Sequence, residues 1–249
     1  MSDGGLKQRQ PEIDVFDNDA YPCQHRPIFN RTATSMNQQK LDSLLERTGI
    51  FQAAVISHIS GLTPAPGTRH VIALQAAALS IEHAAGALLL FKHNLLTPAY
   101  SLMRPQYESL VRGVWLLYAA SELWVEKLSE LLTEESARRA NEGLMPAEML
   151  NQLEGCARAP AYIVGQLQEY KSATWKALNS YAHGGIHALA RSASGYPPKL
   201  TFDVVCNSNA IVALATQLAS ILTGDAQNML PVKKIHVEFA DCLPILNPT

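Results

Sequence analysis

The segment from Arg69 to Lys92 constrains this chain more than any other. It is almost continuously apolar, rich in Ala and Leu, and too long to be a strand. Such a stretch either crosses a membrane or runs as a helix through the centre of a bundle. Gln75, Glu82 and His83 fall within it, and a charge near mid-span is costly in a bilayer. A buried helix, with no membrane partner, is therefore the expectation. A helix apolar all round must be surrounded by others. The 249-residue chain, 47% hydrophobic and 17% charged, has enough length and apolar surface to supply them.

The flanking pattern supplies those neighbours. Leu41, Leu44, Leu45, Phe51, Val55 and Ile59 recur mostly at spacings of three and four, as on an amphipathic helix. Ser35 and Gln38 form a capping-box signature before it, and Gly61 ends it. Thr97-Pro98 predicts a third helix start, with Met103, Tyr107, Leu110, Val111, Val114, Leu117 and Tyr118 on one arc. Pro105 should kink that helix, because its ring removes a backbone donor. Ser121 can cap a short helix through Leu132, and two short surface helices are expected between Thr133 and Gly155. Pro160 opens a long helix that Gly184-Gly185 ends or bends, and Phe202 to Leu222 forms the last. The β-prone run Ile235 to Phe239 lies in the tail. The expected architecture is an all-α, up-and-down-type bundle of about five main helices plus short surface helices. Residues 1–35 read as an irregular arm with one extended piece near Ile13 to Phe16, 36–224 as the bundle, and 225–249 as a tail.

Composition narrows the setting. Lys and Arg number 20 against 22 Asp and Glu, so the net charge is −2 and no broad positive field favours general nucleic-acid binding. Cys23, Cys156, Cys206 and Cys242 are widely separated and form no Cys-x-x-Cys pair. Reduced thiols in a cytoplasmic protein are the simplest expectation, and the polar start of the chain lacks the apolar stretch of a secretory signal. No Gly-rich phosphate loop and no Gly-x-Ser-x-Gly elbow is present.

Two constellations could carry chemistry. Arg104, Glu108 and Arg112 follow one another at i, i+4 and i+8, about 40° apart around a helix, with Trp115 beside them. They form either an anion-binding cluster oriented by Glu108 or an ion-pair ladder along the helix. Trp175, Asn179 and His183 recur every four residues, with Lys176 near the same side. A histidine there could serve as a general acid–base, or could simply close a last helical turn, where the helix dipole favours its charged form. His183 and His187 also have the spacing of two metal ligands on one turn, but Gly184-Gly185 interrupts the helix and no Glu-x-x-His motif accompanies them. No metal or cofactor is expected. His58, His83 and His93 read as core or border histidines.

Two stretches carry a family resemblance. Leu95-Leu-Thr-Pro-Ala-Tyr-Ser-Leu-Met-Arg-Pro-Gln-Tyr-Glu-Ser-Leu-Val-Arg-Gly-Val-Trp-Leu and Leu178-Asn-Ser-Tyr-Ala-His-Gly-Gly resemble the paired helices of bacterial uncharacterised families with a HEPN-like helical bundle. In those families an Arg…Glu…Arg helix packs near a Ser-x-x-His-Gly helix end. The resemblance covers about half the chain. It implies a HEPN-like protein of bacterial stress or defence that binds RNA or nucleotide and forms a homodimer. His183, Arg104 and Glu108 would be the catalytic candidates, and Arg112, Lys176, Asn179, Trp115 and Trp175 the binding residues. The HEPN ribonuclease signature has an arginine and a later histidine with four to six residues between them. Here the nearest match is Lys176, with six residues between it and His183, and lysine lacks the bidentate fork of arginine. Ribonuclease activity is therefore expected to be degenerate or absent, and whether the chain is an enzyme stays open. The alternative is a non-enzymatic helical module for protein interaction or dimerisation, in which the same polar groups fix helix register.

Overall fold

A computed structural model describes residues 31–140 and 144–244, with side chains over 38–138 and 144–244. Eleven α-helices and two short 3-10 turns make up the described residues, which contain no strand. The helices are α1 (Arg31–Ile59), α2 (Thr68–Lys92), α3 (Leu96–Ser101), α4 (Met103–Tyr118), α5 (Glu122–Ser129) and α6 (Glu134–Ala140). They continue with α7 (Pro146–Glu154), α8 (Ala161–Ala182), α9 (Ile186–Ser194), α10 (Pro198–Ile221) and α11 (Met229–Glu238). The all-α expectation holds, with more helices than the five main ones anticipated.

The core is built around α2, which packs chiefly on α4 and α10, while α1 packs on α10. Ala73, Ala76, Ala77, Ala84 and Ala87 are buried along α2. Small side chains there let neighbouring helices approach closely. At Gly113 of α4 an added Cβ would stand 2.9 Å from Leu218 Cδ2 and 3.3 Å from the Ala73 carbonyl oxygen, so only glycine fits where the three helices meet. α2 is not sealed all round, however, because Gln75, Ala78 and Glu82 form an exposed stripe. α2 and α10 are the two described helices long and apolar enough to cross a membrane. Packing covers most of the α10 stretch but under half of the α2 stretch, which leaves Val71, Leu79 and Leu89 exposed. A buried polar knot ties the same three helices together. Ser80 Oγ donates to the Gln106 carbonyl, Gln106 Nε2 to the Ser208 carbonyl, and Ser208 Oγ to Gln106 Oε1. Each partner satisfies another, which avoids about 1–3 kcal/mol per orphaned buried group.

Several local expectations change. α1 starts at Arg31, so Ser35 lies within the helix and not at its N-terminus. The extended piece near Ile13 and the thiol of Cys23 lie outside the described residues. The Thr97 hydroxyl contacts the Tyr196 hydroxyl at 2.8 Å and caps no helix, since α3 starts at Leu96. Pro105 divides the expected kinked helix in two: the donor it lacks would have reached Ser101, and the interruption falls at Leu102, which keeps helical dihedrals. α5 ends at Ser129, leaving Leu131 and Leu132 exposed. α7 is a short surface helix with one exposed face, Glu148, Asn151, Gln152 and Glu154, and one face, Met149, Leu150 and Leu153, buried against α4 and α8. Pro198 opens α10 a full turn before Phe202.

The β-prone run Ile235 to Phe239 is helical as far as Glu238. Pro231 sits in the first turn of α11, and the burial of Val232 and Phe239, seven residues apart, holds one face on the bundle. Phe239 lies against Phe51 of α1 at 5.6 Å, with the Arg47 guanidinium 4.3 Å from its ring. Arg47 Nη2 also donates to the Glu238 carbonyl, and Arg47 Nε pairs with Asp241 at 3.1 Å.

Candidate functional site

The end of α8 is a built turn. His183 is its C-cap, and Gly184 follows in the left-handed region at φ 64°, which a side chain would strain. The Gly185 amide donates to the Ser180 carbonyl at 2.6 Å and the Gly184 amide to the Tyr181 carbonyl, the pattern of a Schellman motif. Gly185 has no room for a Cβ, which would come 2.7 Å from Ser180 Oγ. That hydroxyl accepts the His187 amide at 2.9 Å and so starts α9. The Ser-x-x-His-Gly-Gly run therefore has a local structural cause. It ends one helix, begins the next and leaves the His183 ring projecting from the elbow.

Packing then brings the elbow to α4. Ser101 Oγ of α3 donates to the Tyr181 carbonyl at 3.0 Å, anchoring the last turn of α8 beside the first turn of α4. Arg104, second residue of α4, lies with Nη1 2.6 Å from Nε2 of His183, 79 residues further along the chain. Its Nε donates to Glu108 Oε1 at 2.7 Å. Its guanidinium stands 5.2 Å from the Trp175 ring, a cation–π contact, and Lys171 Nζ lies 6.0 Å from the same ring. Neither hydrogen bond of Arg104 uses Nη2. A guanidinium has no acceptor, so the short contact requires a lone pair on His183 Nε2 and a ring proton on Nδ1.

Arg104 and Glu108 are mostly shielded, with 17% and 24% of their side chains exposed, whereas His183 is open to solvent. The cluster is thus a shallow edge with a buried root. Behind it Trp175 meets Tyr107 edge-on at 6.4 Å, and Tyr107 stacks on Tyr170 at 5.0 Å. The Tyr107 hydroxyl donates to the Leu167 carbonyl, which fixes the ring.

The structure gathers Glu108, Trp175 and His183 around Arg104. Asn179 stands one turn before His183 on α8, with its Oδ1 buried and unpartnered. Lys176 is exposed on the same helix, and Arg112 is half-buried two turns beyond Arg104. Trp115 does not join the cluster. It is fully buried, and its Nε1 donates to Gln152 Oε1 of α7 at 2.7 Å, because α7 covers that end of α4. His187 stands on α9, with its ring 6.0 Å from Tyr181, so the two histidines do not share one helical turn. Among the described residues no three His, Cys, Asp or Glu side chains are placed to hold a metal ion. Ser101 and Ser180, which position the pair, were not singled out by sequence reasoning. Only the Ser-x-x-His-Gly spacing could have pointed to Ser180.

A family model described as a family of unknown function, DUF6988, matches residues 77–245. The chain belongs to this family. The DUF6988 match spans most of α2 and all of α3 to α11, so every member of the Arg104–His183 cluster lies inside it, and α1 lies before it. No curated protein and no solved structure matches the chain.

Proposed function

We propose that this protein is a HEPN-like bundle of bacterial stress or defence type, cytoplasmic, that binds the phosphate of RNA or a nucleotide at the Arg104–His183 pair. Its ribonuclease chemistry is degenerate or absent. The observation that carries this reading is the 2.6 Å contact between Arg104 Nη1 and His183 Nε2, made by two residues from distant parts of the chain at an open edge. An anion that enters between them would accept from Arg104 and from a ring N–H of His183, replacing one contact by two. Arg112, Lys171 and Lys176 add positive charge on the same two helices, against Glu108. Glu108 keeps the guanidinium aimed, as an orienting carboxylate does. The Trp175 ring beneath it offers an apolar floor.

The same contact argues against efficient turnover. A general base must aim its lone pair at the hydroxyl that it deprotonates, and here the Nε2 lone pair is taken by Arg104. Arg104 would have to swing away before His183 could accept a ribose 2′-hydroxyl proton. The placement in stress or defence rests on the HEPN resemblance alone. The cytoplasmic setting fits Cys156, Cys206 and Cys242, which are unpaired.

Fluorescence anisotropy with a labelled single-stranded RNA and with ATP tests the reading. Arg104→Ala and His183→Ala should each weaken binding by roughly 10-fold or more, as expected for losing a charged hydrogen bond. The affinity should fall as salt rises. Absence of wild-type binding to both probes, or unchanged binding by both variants, would overturn it. The pair would then be a helix-registering contact of a non-enzymatic module.

A further inference from the structure

A second feature lies behind the aromatic wall of the Arg104 edge and is independent of it. α8 and α10 both pack on α4 but scarcely on each other. The gap between them is a cleft of about 650 Å³, within the range of small-molecule sites. Small residues create the room: Ala173 on one wall, Ala210 and Ala213 on the other. Tyr170, with the fully buried Tyr107 stacked behind it, furnishes aromatic surface, and the exposed Tyr162 is bridged across by Gln217, whose Nε2 lies 3.2 Å from the tyrosine hydroxyl.

The charge of this cleft is one-sided. Among the described residues that line it, Glu169 carries the only full charge at neutral pH. His236, in the α11 wall, adds no cation, since burial lowers its pKa from 6.5. No lysine or arginine lines the space, so an anionic amphiphile would meet a carboxylate and no counter-charge. A cationic group would meet that carboxylate beside tyrosine rings, a combination that favours an ammonium.

We infer that the α8–α10 cleft is a binding site for a small amphiphilic amine, with an apolar ring system between the alanines and its ammonium group toward Glu169 and the tyrosines. Calorimetric titration of the full chain with 1-naphthylmethylamine and with 1-naphthylacetate tests this, because the two probes share a ring and differ in charge. The amine should bind about tenfold or more tightly than the acetate. Glu169→Gln, at an exposed position, should remove most of that preference. Ala210→Phe should abolish amine binding by filling the cleft, and Ala173→Leu does the same from the opposite wall should the first variant fail to fold. Arg104→Ala should leave amine binding unchanged, so failure at this site is distinguishable from failure at the other. No binding of the amine, equal binding of the acetate, a preference untouched by Glu169→Gln, or unchanged binding by a folded cleft-filling variant would each overturn the inference.

Discussion

α8 has two working faces that are built on opposite principles. Toward α3 and α4 it presents Trp175, Asn179 and His183, and the neighbouring helix supplies Arg104 to meet them. Toward α10 it presents Tyr162, Tyr170 and Ala173, and among the described residues small side chains, Ala210 and Ala213, stand opposite. The first face is made by long polar side chains that reach one another from separate elements. The second is opened by short side chains and bridged by the Tyr162–Gln217 contact. Tyr107 stands between them, edge-on to Trp175 on one side and stacked with Tyr170 on the other. A single helix can thus carry a charged edge and an apolar cleft because residues 100° apart face different neighbours.

Disturbing α4, which backs both faces, should have the largest effect. Gly113→Val would drive a side chain into Leu218 and the Ala73 carbonyl. Overpacking of this kind costs about 1–3 kcal/mol, or roughly 2–4 °C of melting temperature for each kcal/mol in a chain of this size. Thermal denaturation followed by circular dichroism would measure it, and both faces should suffer together.

A narrower change separates them. Gly185→Ala places a methyl group against Ser180, close to both its hydroxyl and its backbone. The elbow must shift by a few tenths of an ångström, at a cost of about 1 kcal/mol. His183 should then lose its alignment with Arg104, and RNA or nucleotide binding should weaken as in His183→Ala. The α8–α10 cleft should bind 1-naphthylmethylamine as before. Equal loss at both faces would show that they are coupled through α8.

The smallest expected effect is a pH dependence from the buried histidines. Burial lowers the pKa of His58, at the end of α1, and of His236, in the cleft wall. In the unfolded chain both titrate near 6.5, so below that pH the unfolded state binds more protons than the folded one. The stability they contribute is therefore complete above about pH 6.5 and is lost as pH falls through their folded values. Melting curves across this window should show a modest decline, and His236→Gln should flatten part of it. A decline that His236→Gln leaves unaltered would assign the effect to other groups.

Much of this was legible in the residues. The three- and four-residue spacing of apolar positions announces helices, and Gly61, Pro160 and Gly184-Gly185 mark their ends, because glycine and proline act on the backbone wherever they occur. The facing of Trp175, Asn179 and His183 follows from helical period alone. What was illegible depends on neighbours. Trp115 lies on the same period-defined border as Arg104, yet α7 buries it. Ile235 to Phe239 has strand-forming residues, yet docking of Phe239 on Phe51 and Arg47 fits a helix. α7 is a surface element on its Glu148 and Glu154 side, yet Met149, Leu150 and Leu153 face inward and cover Trp115.

Local chemistry alone determined that this chain is helical, where most of its helices stop, and which side chains share a face, because backbone preference and periodicity act within a few residues. Only the tertiary structure decided that Arg104 meets His183, that Trp115 does not, and that α8 and α10 stand apart around a cleft. Those outcomes turn on the packing of whole helices, where one glycine or alanine sets a distance that no short stretch of sequence encodes.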